Sequence, residues 1–414
     1  MLAQFYPPVI GGEERHVRNL SVEFARRGHD AHVGTLRLDS ASPPSPQPDA
    51  GVTVHSLDSA GRRLTGLYAS ADRPLAMPMP DPVLTRALHR LVDDVRPDVV
   101  HAHNWIVNSY LPVQWRHRRP LVLSLHDYSH VCATKRSMLH DEPCPGPTPR
   151  RCLGCVRGHY GTARGGVIWA AVRAGIPARE RLVDVFTPVS RAVASASRLA
   201  EAGVDFEVVP NFVPDALAST PLGVRDPALP AEPYLFFAGD LSAQKGLLTL
   251  LDAYTRLDAG ARPPLVLVGR PTPDLPERLP AGVQVELAWD HDRVVSGFQY
   301  SLAAVLPSEW PDPCPTTVLE AMALRAPLVT THQGGIADMV VPDESALVVA
   351  PAEPAQLAAA LARLIAEPAL RRRLVEGGTE QVQAFRLGSV AARLTGIYES
   401  VRKSVRKEAR HADA

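Results

Sequence analysis

Residues 308–323 read SEWPDPCPTTVLEAMA, and the turn QGGI follows at residues 333–336. Three prolines restrict the backbone and bar a helix before Thr316, which predicts an ordered loop around Asp312 and a new helix around Glu320. Either acid alone is most simply an ordinary solvated carboxylate. Together, two acceptors near a helix start, where free N–H groups favour an anion, indicate a site for ligands that carry hydroxyl and phosphate groups.

Short apolar runs alternate with amphipathic stretches along the rest of the chain, the pattern of parallel βαβ units. The predicted strands are 31–36, 52–57, 98–101, 121–125, 184–188, 234–238, 264–268, 283–287, 303–306, 328–330 and 346–349. The predicted helices are 13–27, 82–95, 191–202, 247–256, 316–324 and 355–365. This series predicts an α/β protein with two doubly wound, Rossmann-like sheets in tandem and a ligand cleft between the domains.

Composition agrees with a two-domain protein, because 414 residues with 45% hydrophobic and 21% charged side chains are too many for one core. Lys plus Arg equals Asp plus Glu at 44 each, so no overall field favours nucleic acid or an acidic membrane surface. The sequence contains no apolar run of about 18 residues and no charged, then apolar, leader at its start. We therefore expect a cytoplasmic protein.

The acidic pair Asp312 and Glu320 resembles the two acids, separated by seven residues, of retaining glycosyltransferases of family 4, which have the GT-B fold. The family usually has Glu at the first position, so Asp312 is one methylene shorter, whereas Glu320 matches the second. The resemblance implies that Asp312 lies beside the donor sugar and that Glu320 binds the nucleotide ribose. The Gly334-Gly335 turn is expected to bind the same donor.

The same resemblance implies how the chain is divided. Residues 1–212 are expected to form an acceptor-side domain, and residues 213–386 a domain that binds a nucleotide sugar. Residues 387–414 are expected to form a helix that returns to the first domain and ends in a basic tail. The apolar stripe and basic flank of that helix leave one alternative, a peripheral contact with a membrane that carries a lipid-linked acceptor.

The start of the chain carries a Gly-Gly turn. Gly11 and Gly12 open the first predicted helix, and glycines there let backbone amides approach a ligand closely. In members of the family that the sequence resembles, this loop lies beside the donor. The family's first strand is reduced here to residues 2–5, which indicates either a trimmed strand or a chain start assigned too late.

Histidines follow two neighbouring predicted strands. His126 comes directly after the apolar run 121–125 and resembles the family histidine that contacts the donor sugar. The alternative for His126 is a core histidine bonded to a backbone carbonyl. His101 and His103 end the preceding strand, and we expect them to be structural or to lie on the acceptor side.

In the second half, residues 236–246 read FFAGDLSAQKG and resemble the strand and loop that hold the donor diphosphate. Gly239 is expected to bind the donor, and Lys245 fits the family lysine that offsets phosphate charge. Asp240 stands where the family has a companion arginine, and a carboxylate there repels a diphosphate. Arg270, at the end of the next predicted strand, is our hypothesis for the missing cation; the alternative is a solvated loop residue.

Four of the five cysteines fall in one inserted segment, at about residues 130–160. They are Cys132, Cys144, Cys152 and Cys155, and the last two have the close spacing of a zinc knuckle. A cytosolic protein rarely forms disulfides. The pattern suggests a structural four-thiolate zinc site, with free thiols and an iron–sulfur cluster as alternatives.

The resemblance implies transfer of a sugar, with retention of anomeric configuration, from a UDP-, GDP- or dTDP-linked donor to the hydroxyl of a sugar, lipid-linked or natural-product acceptor. Lys245, Asp312 and His126 are the predicted catalytic residues, and no cofactor is required. Two alternatives stay open: a nucleotide-sugar epimerase of the same fold, and a non-catalytic protein that binds sugar nucleotides. The sequence does not identify the base, the sugar or the acceptor.

Overall fold

The computed structural model describes residues 1–7, 12–37, 46–63, 76–139 and 142–412, so the predicted donor residue Gly11 lies outside the described residues. The chain divides into two units. Unit 1 comprises Met1–Pro210 and Val390–Ala414, and unit 2 comprises Asn211–Ser389. Within the described part of the chain, none of the helices combines the length and the apolar character needed to span a bilayer.

Unit 1 contains a seven-stranded sheet and a separate short hairpin. Its strands are β1 (Leu2–Ala3), β2 (Ala31–Leu36), β3 (Gln47–Asp49), β4 (Val52–Leu57), β5 (Val100–His103), β6 (Leu121–Leu125), β7 (Met138–Leu139), β8 (Glu142–Pro143) and β9 (Val185–Pro188). The sheet has the order β3-β4-β2-β1-β5-β6-β9, and β7 pairs with β8. Only β3 runs antiparallel to its neighbour within the described sheet, so the carboxyl ends of β5 and β6 lie at one edge, where ligands bind in such sheets.

Helices precede, connect or follow these strands in the described part of residues 1–210. They are α1 (Gly12–Arg26), α2 (Pro82–Val95), α3 (Val107–His117), α4 (Pro149–Tyr160), α5 (Thr162–Leu182), α6 (Arg191–Ala196) and α7 (Leu199–Ala202). The predicted single helix over 191–202 is wrong, because Arg198 adopts a left-handed conformation, with φ of 58°, between α6 and α7. Asp81 caps α2 through its side chain, which accepts from the backbone N–H groups of Val83 and Leu84.

Unit 2 is a second parallel sheet covered by helices. Its strands are β10 (Leu235–Ala238), β11 (Leu265–Val268), β12 (Val283–Glu286), β13 (Ala303–Leu306), β14 (Leu328–Thr331) and β15 (Leu347–Val349), in the order β12-β11-β10-β13-β14-β15. Its helices are α8 (Leu247–Thr255), α9 (His291–Tyr300), α10 (Thr316–Ala323), α11 (Pro354–Ala366) and α12 (Pro368–Gln381). Fully apolar strands such as β11 are buried on both faces, as a doubly wound sheet requires.

The last helix, α13 (Leu387–Ala412), belongs to unit 1 from Val390 onward. Its apolar stripe is buried, with Val390 and Leu394 each 1% exposed. The Tyr398 hydroxyl lies 2.6 Å from Nδ1 of His101 on β5, and Arg402 pairs with Asp98 at 3.5 Å. An apolar face that is buried inside the protein is not available to a membrane, which argues against the alternative of a peripheral membrane contact through this stripe.

Candidate active site

The loop that carries Asp312 follows β13 in unit 2 and is fixed by backbone contacts. Thr331 Oγ1 donates to the Ser308 carbonyl at 2.6 Å, and the Asn211 side-chain amide donates to the Cys314 carbonyl at 2.9 Å. These bonds fix the loop on either side of Asp312, which is only 5% exposed. Burying a carboxylate costs free energy unless a cation pairs with it, so a positively charged partner is expected beside Asp312.

Lys245 supplies that cation from a separate part of the chain. It ends the single turn of 3-10 helix after β10, and its ammonium group forms an ion pair with the Asp312 carboxylate. The Trp310 indole N–H also donates to the same carboxylate oxygen, at 3.3 Å. The Gln244 carbonyl accepts the Glu309 N–H at 2.9 Å, which binds the lysine turn to the acidic loop. The structure therefore brings the predicted residues Lys245 and Asp312 together.

A hollow lined by Lys245, Asp312 and Thr317 lies beside the start of α10. Among the described residues no side chain caps this helix, whose first residue follows Pro315. Its first N–H groups and the helix dipole therefore favour an anion in the hollow. Glu320 lies one turn further along α10 and is partly buried.

The Gly334-Gly335 turn supports the acidic loop directly. The Gly335 N–H donates to the Asp312 carbonyl at 2.7 Å. Gly334 has φ of 57°, and a Cβ at this position would overlap the Asp312 backbone. The turn therefore holds the loop in its conformation. A contact of both glycines with a donor stays a prediction.

Arg270 and Asp240 meet at the ends of β11 and β10. The guanidinium binds the carboxylate through two hydrogen bonds of 2.9 and 3.0 Å, with the arginine side chain 75% exposed. The strand ends approach so closely that a Cβ on Gly269 would overlap the Gly239 carbonyl oxygen. Arg270 therefore neutralises Asp240 itself, while a direct contact of Arg270 or Gly239 with phosphate stays a prediction.

A cluster of histidines occupies the carboxyl ends of β5 and β6 in unit 1. His126 Nε2 lies 2.8 Å from His103 Nδ1, and the His126 backbone N–H donates to the Asn104 side chain at 3.0 Å. The His16 ring contacts the His126 ring edge to face at 4.7 Å. Burial lowers the pKa of His16 and of His103 well below 6.5, and neighbouring histidines lower it further, so both rings are neutral at pH 7.

This geometry refines the sequence interpretation of the histidines. Nε2 of His126 contacts another imidazole, and the alternative interpretation as a core histidine stays open. His101 bonds to Tyr398 and Ser124 and is structural. His16, His103 and His126 each place one nitrogen within 4.8 Å of the others, a spacing that also suits a metal ion. A contact between His126 and a donor sugar stays a prediction.

Glu13 is a candidate residue that the sequence interpretation missed. Its Oε2 accepts from the Asn104 side-chain amide at 2.8 Å, and its buried Oε1 has no hydrogen-bond partner within the described ranges. Burial and the neighbouring Asp127 raise the pKa of Glu13 to about 8, so it is largely protonated at pH 7. Its position directly after the Gly-Gly turn was a signal, but an acid in the first turn of a helix usually only complements the dipole.

We expect the Glu13→Gln variant to lose a pH dependence of stability that the parent protein shows. A folded pKa of about 8 against an ordinary value of 4.5 means that the folded state holds a proton that the unfolded state releases. Stability should therefore fall as pH rises through that window, by at most about 1.4 kcal/mol per pH unit. Thermal melts from pH 5 to about 9 measure this slope.

The parent protein, measured over the same pH range, is the reference for this variant. Glutamine at position 13 retains an oxygen for the Asn104 amide, so the variant removes only the titration. An equal slope of stability with pH in the parent protein and in Glu13→Gln would contradict the assignment of a protonated Glu13.

Family comparisons place these features in context. A family model described as Glycosyltransferase Family 4 matches residues 10–217, half of the chain. The chain belongs to glycosyltransferase family 4. A second model, Glycosyl transferases group 1, matches residues 225–381 of this family 4 glycosyltransferase. The two matches fall in unit 1 and unit 2, respectively, apart from a few residues at the boundary.

Individual relatives cover nearly the whole of this family 4 glycosyltransferase. It is 28% identical to glycogen synthase of Mycobacterium tuberculosis, over 98% of this chain and 95% of the relative. Sucrose-phosphate synthase from Thermosynechococcus elongatus has a TM-score of 0.69 at 20% identity, covering 97% of this chain and 98% of that one. HepE from Anabaena, solved with UDP-glucose, has a TM-score of 0.63 at 16% identity and covers 96% and 98%. The predicted α/β class and GT-B fold are confirmed.

Proposed function

We propose that this glycosyltransferase moves a sugar from a nucleotide-diphosphate sugar to an acceptor hydroxyl with retention of anomeric configuration, and that it acts in the cytoplasm. The observation that carries the proposal is the Lys245 ammonium group, fixed against buried Asp312 beside the start of α10. A positive charge and free helix N–H groups in one hollow suit a diphosphate.

The proposed chemistry follows from where charge develops. As the bond to the leaving diphosphate breaks, negative charge grows on the phosphate oxygens, and Lys245 and the α10 amides stabilise it. Asp312 already pairs with Lys245 and accepts the Trp310 N–H, which weakens it as a nucleophile. We therefore assign Asp312 to orientation of the lysine and donor sugar, Glu320 to the ribose and His126 to the sugar. No general base is assigned.

The relatives favour a donor and an acceptor class. HepE was solved with UDP-glucose, so a UDP-sugar is our first choice, ahead of GDP- and dTDP-sugars. The names glycogen synthase and sucrose-phosphate synthase favour a carbohydrate hydroxyl as acceptor over a lipid-linked or natural-product one.

The pairing of Arg270 with Asp240 weakens one argument for the non-catalytic alternative. A lone carboxylate at Asp240 would repel a diphosphate, and Arg270 binds it through two hydrogen bonds. A nucleotide-sugar epimerase would use the same donor, and only an assay with and without acceptor distinguishes it from a transferase.

A panel of UDP-, GDP- and dTDP-hexoses with maltooligosaccharides and hexose phosphates tests the proposal. We expect nucleoside diphosphate release that depends on both donor and acceptor, and a product whose anomeric proton coupling matches that of the donor. Product of the opposite configuration would contradict retention. Donor conversion to another nucleotide sugar without acceptor would identify an epimerase, and donor binding without turnover a non-catalytic protein.

A further inference from the structure

The inserted segment, at about residues 130–160, brings its four cysteines to one place. Cys132 lies in the turns after β6, Cys144 directly follows the β7–β8 hairpin, and Cys152 and Cys155 lie on α4. All four side chains line one hollow, together with Met138 and Arg151, which we call the cysteine hollow. The four thiols are partly exposed and form no disulfide.

Local contacts hold the cysteines around this hollow. Cys152 and Cys155 are three residues apart on α4, so they share one helix face. The Thr134 hydroxyl lies 3.3 Å from the Cys132 thiol, and the Cys155 thiol donates to the Met138 carbonyl at 3.8 Å. The Cys144 N–H donates to the Ser137 carbonyl at 2.8 Å, which fixes Cys144 at the end of the hairpin.

The segment has little apolar packing to hold it in this shape. Each strand of the β7–β8 hairpin is two residues long, and Val156 is the buried residue of α4. A two-stranded hairpin is at best marginally stable in water, and small units of this kind usually depend on a disulfide or a metal ion. A cross-link through the cysteine hollow would supply that stability.

We propose that Cys132, Cys144, Cys152 and Cys155 bind one Zn²⁺ ion in a closed structural site. Four thiolates in a hairpin-plus-helix arrangement are a ligand set that favours Zn²⁺ over Mg²⁺ or Ca²⁺, which prefer oxygen. Binding replaces four S–H protons by four Zn–S bonds and leaves a net charge of −2 on the site. Arg151 lines the hollow, and the charge of Arg136 acts on Cys155, so cations are in place to offset it.

The site would fix the segment that starts at His126. Trp105 donates its indole N–H to the Ser129 carbonyl at 2.9 Å, and the Lys135 ammonium lies 4.0 Å from the Trp105 ring centroid. These contacts attach the first half of the segment to unit 1, and the metal would attach the second half through α4. The proposal does not depend on the glycosyl transfer reaction.

Metal analysis of the full chain, purified without added zinc, tests the proposal. We expect about one equivalent of zinc, released by an organomercurial thiol reagent and detected with a zinc-binding dye. The variant Cys152→Ser/Cys155→Ser should bind at least about tenfold less zinc than the parent protein. The matched control is Cys314→Ser, which removes the one cysteine outside the segment and should keep the full amount.

Several outcomes would overturn the proposal. They are less than about half an equivalent of zinc in the parent protein, iron in place of zinc, a disulfide within the segment by mass spectrometry, and equal zinc loss in Cys314→Ser. The organomercurial release is measured on the parent protein, so the test stands even where the double variant does not fold.

Discussion

Replacing Lys245 by alanine is expected to lower the rate of sugar transfer by about a hundred- to a thousandfold. The ammonium group is the cation that the structure holds in the hollow at α10, and it acts on the charge that grows on the leaving diphosphate. The substitution also leaves the Asp312 carboxylate buried without its ion-pair partner, so some loss of stability should accompany the loss of rate. Steady-state kcat and KM for the donor, with thermal melts of the same samples, separate the two effects.

The control for this variant is Lys245→Arg, which keeps the positive charge and should retain more activity than the alanine variant. A loss of less than about threefold in Lys245→Ala would contradict the role of the lysine in the transition state.

Arg270→Ala belongs in the same assay, because our hypothesis assigns Arg270 to compensation of Asp240. We expect a smaller loss of donor affinity, about tenfold or less, since the pair is exposed to solvent. The double variant Asp240→Ala/Arg270→Ala should recover most of that affinity, because it removes the uncompensated carboxylate as well. Unchanged donor affinity in Arg270→Ala, with Lys245→Ala strongly impaired, would reject the hypothesis.

Gly334→Ala is expected to have the second large effect. Alanine at a φ of 57° is strained, and its Cβ would overlap the Asp312 backbone, so the acidic loop must move. We expect a loss of about 3 kcal/mol in stability, roughly 6–12 °C in the Tm of a unit of this size, and a rise in KM for the donor. Calorimetry and donor kinetics on the same preparation measure both.

The matched control is Gly396→Ala. Gly396 lies on the exposed side of α13, and a Cβ there would meet no atom within 4 Å. Alanine favours helix, so this variant should be unchanged or more stable by up to about 1 kcal/mol. A Gly334→Ala protein that melts and binds donor like the parent would show that the turn does not support the loop.

Much of the fold was predictable because periodicity reports directly on strands and amphipathic helices. All six strands of unit 2 lie within one residue of their predicted bounds. The helices α3 and α5 were missed since Pro112 and Pro177 lie inside them, and proline ordinarily ends a helix. Helix α12 was missed as well; it contains the pair Gly377-Gly378, of which Gly378 packs against Met322.

The site was predictable residue by residue, but its pairings were not. Motifs indicated Lys245 and Asp312 separately, yet their contact joins two segments 67 residues apart. The pairing of Arg270 with Asp240 likewise depends on the parallel register of β10 and β11. Glu13 was not predicted from the sequence, because its raised pKa comes from burial and from Asp127, which is remote in sequence.

Unit 1 is completed by residues 390–412, which the ribosome synthesises only after the whole of unit 2. Val390, Leu394 and Val401 are buried in that unit, so a nascent chain that ends before them exposes the apolar surface they cover. Domains usually fold in order from the N-terminus during translation. Here unit 1 cannot be completed until its last helix has been synthesised. Until then the growing polypeptide exposes apolar surface to which chaperones bind.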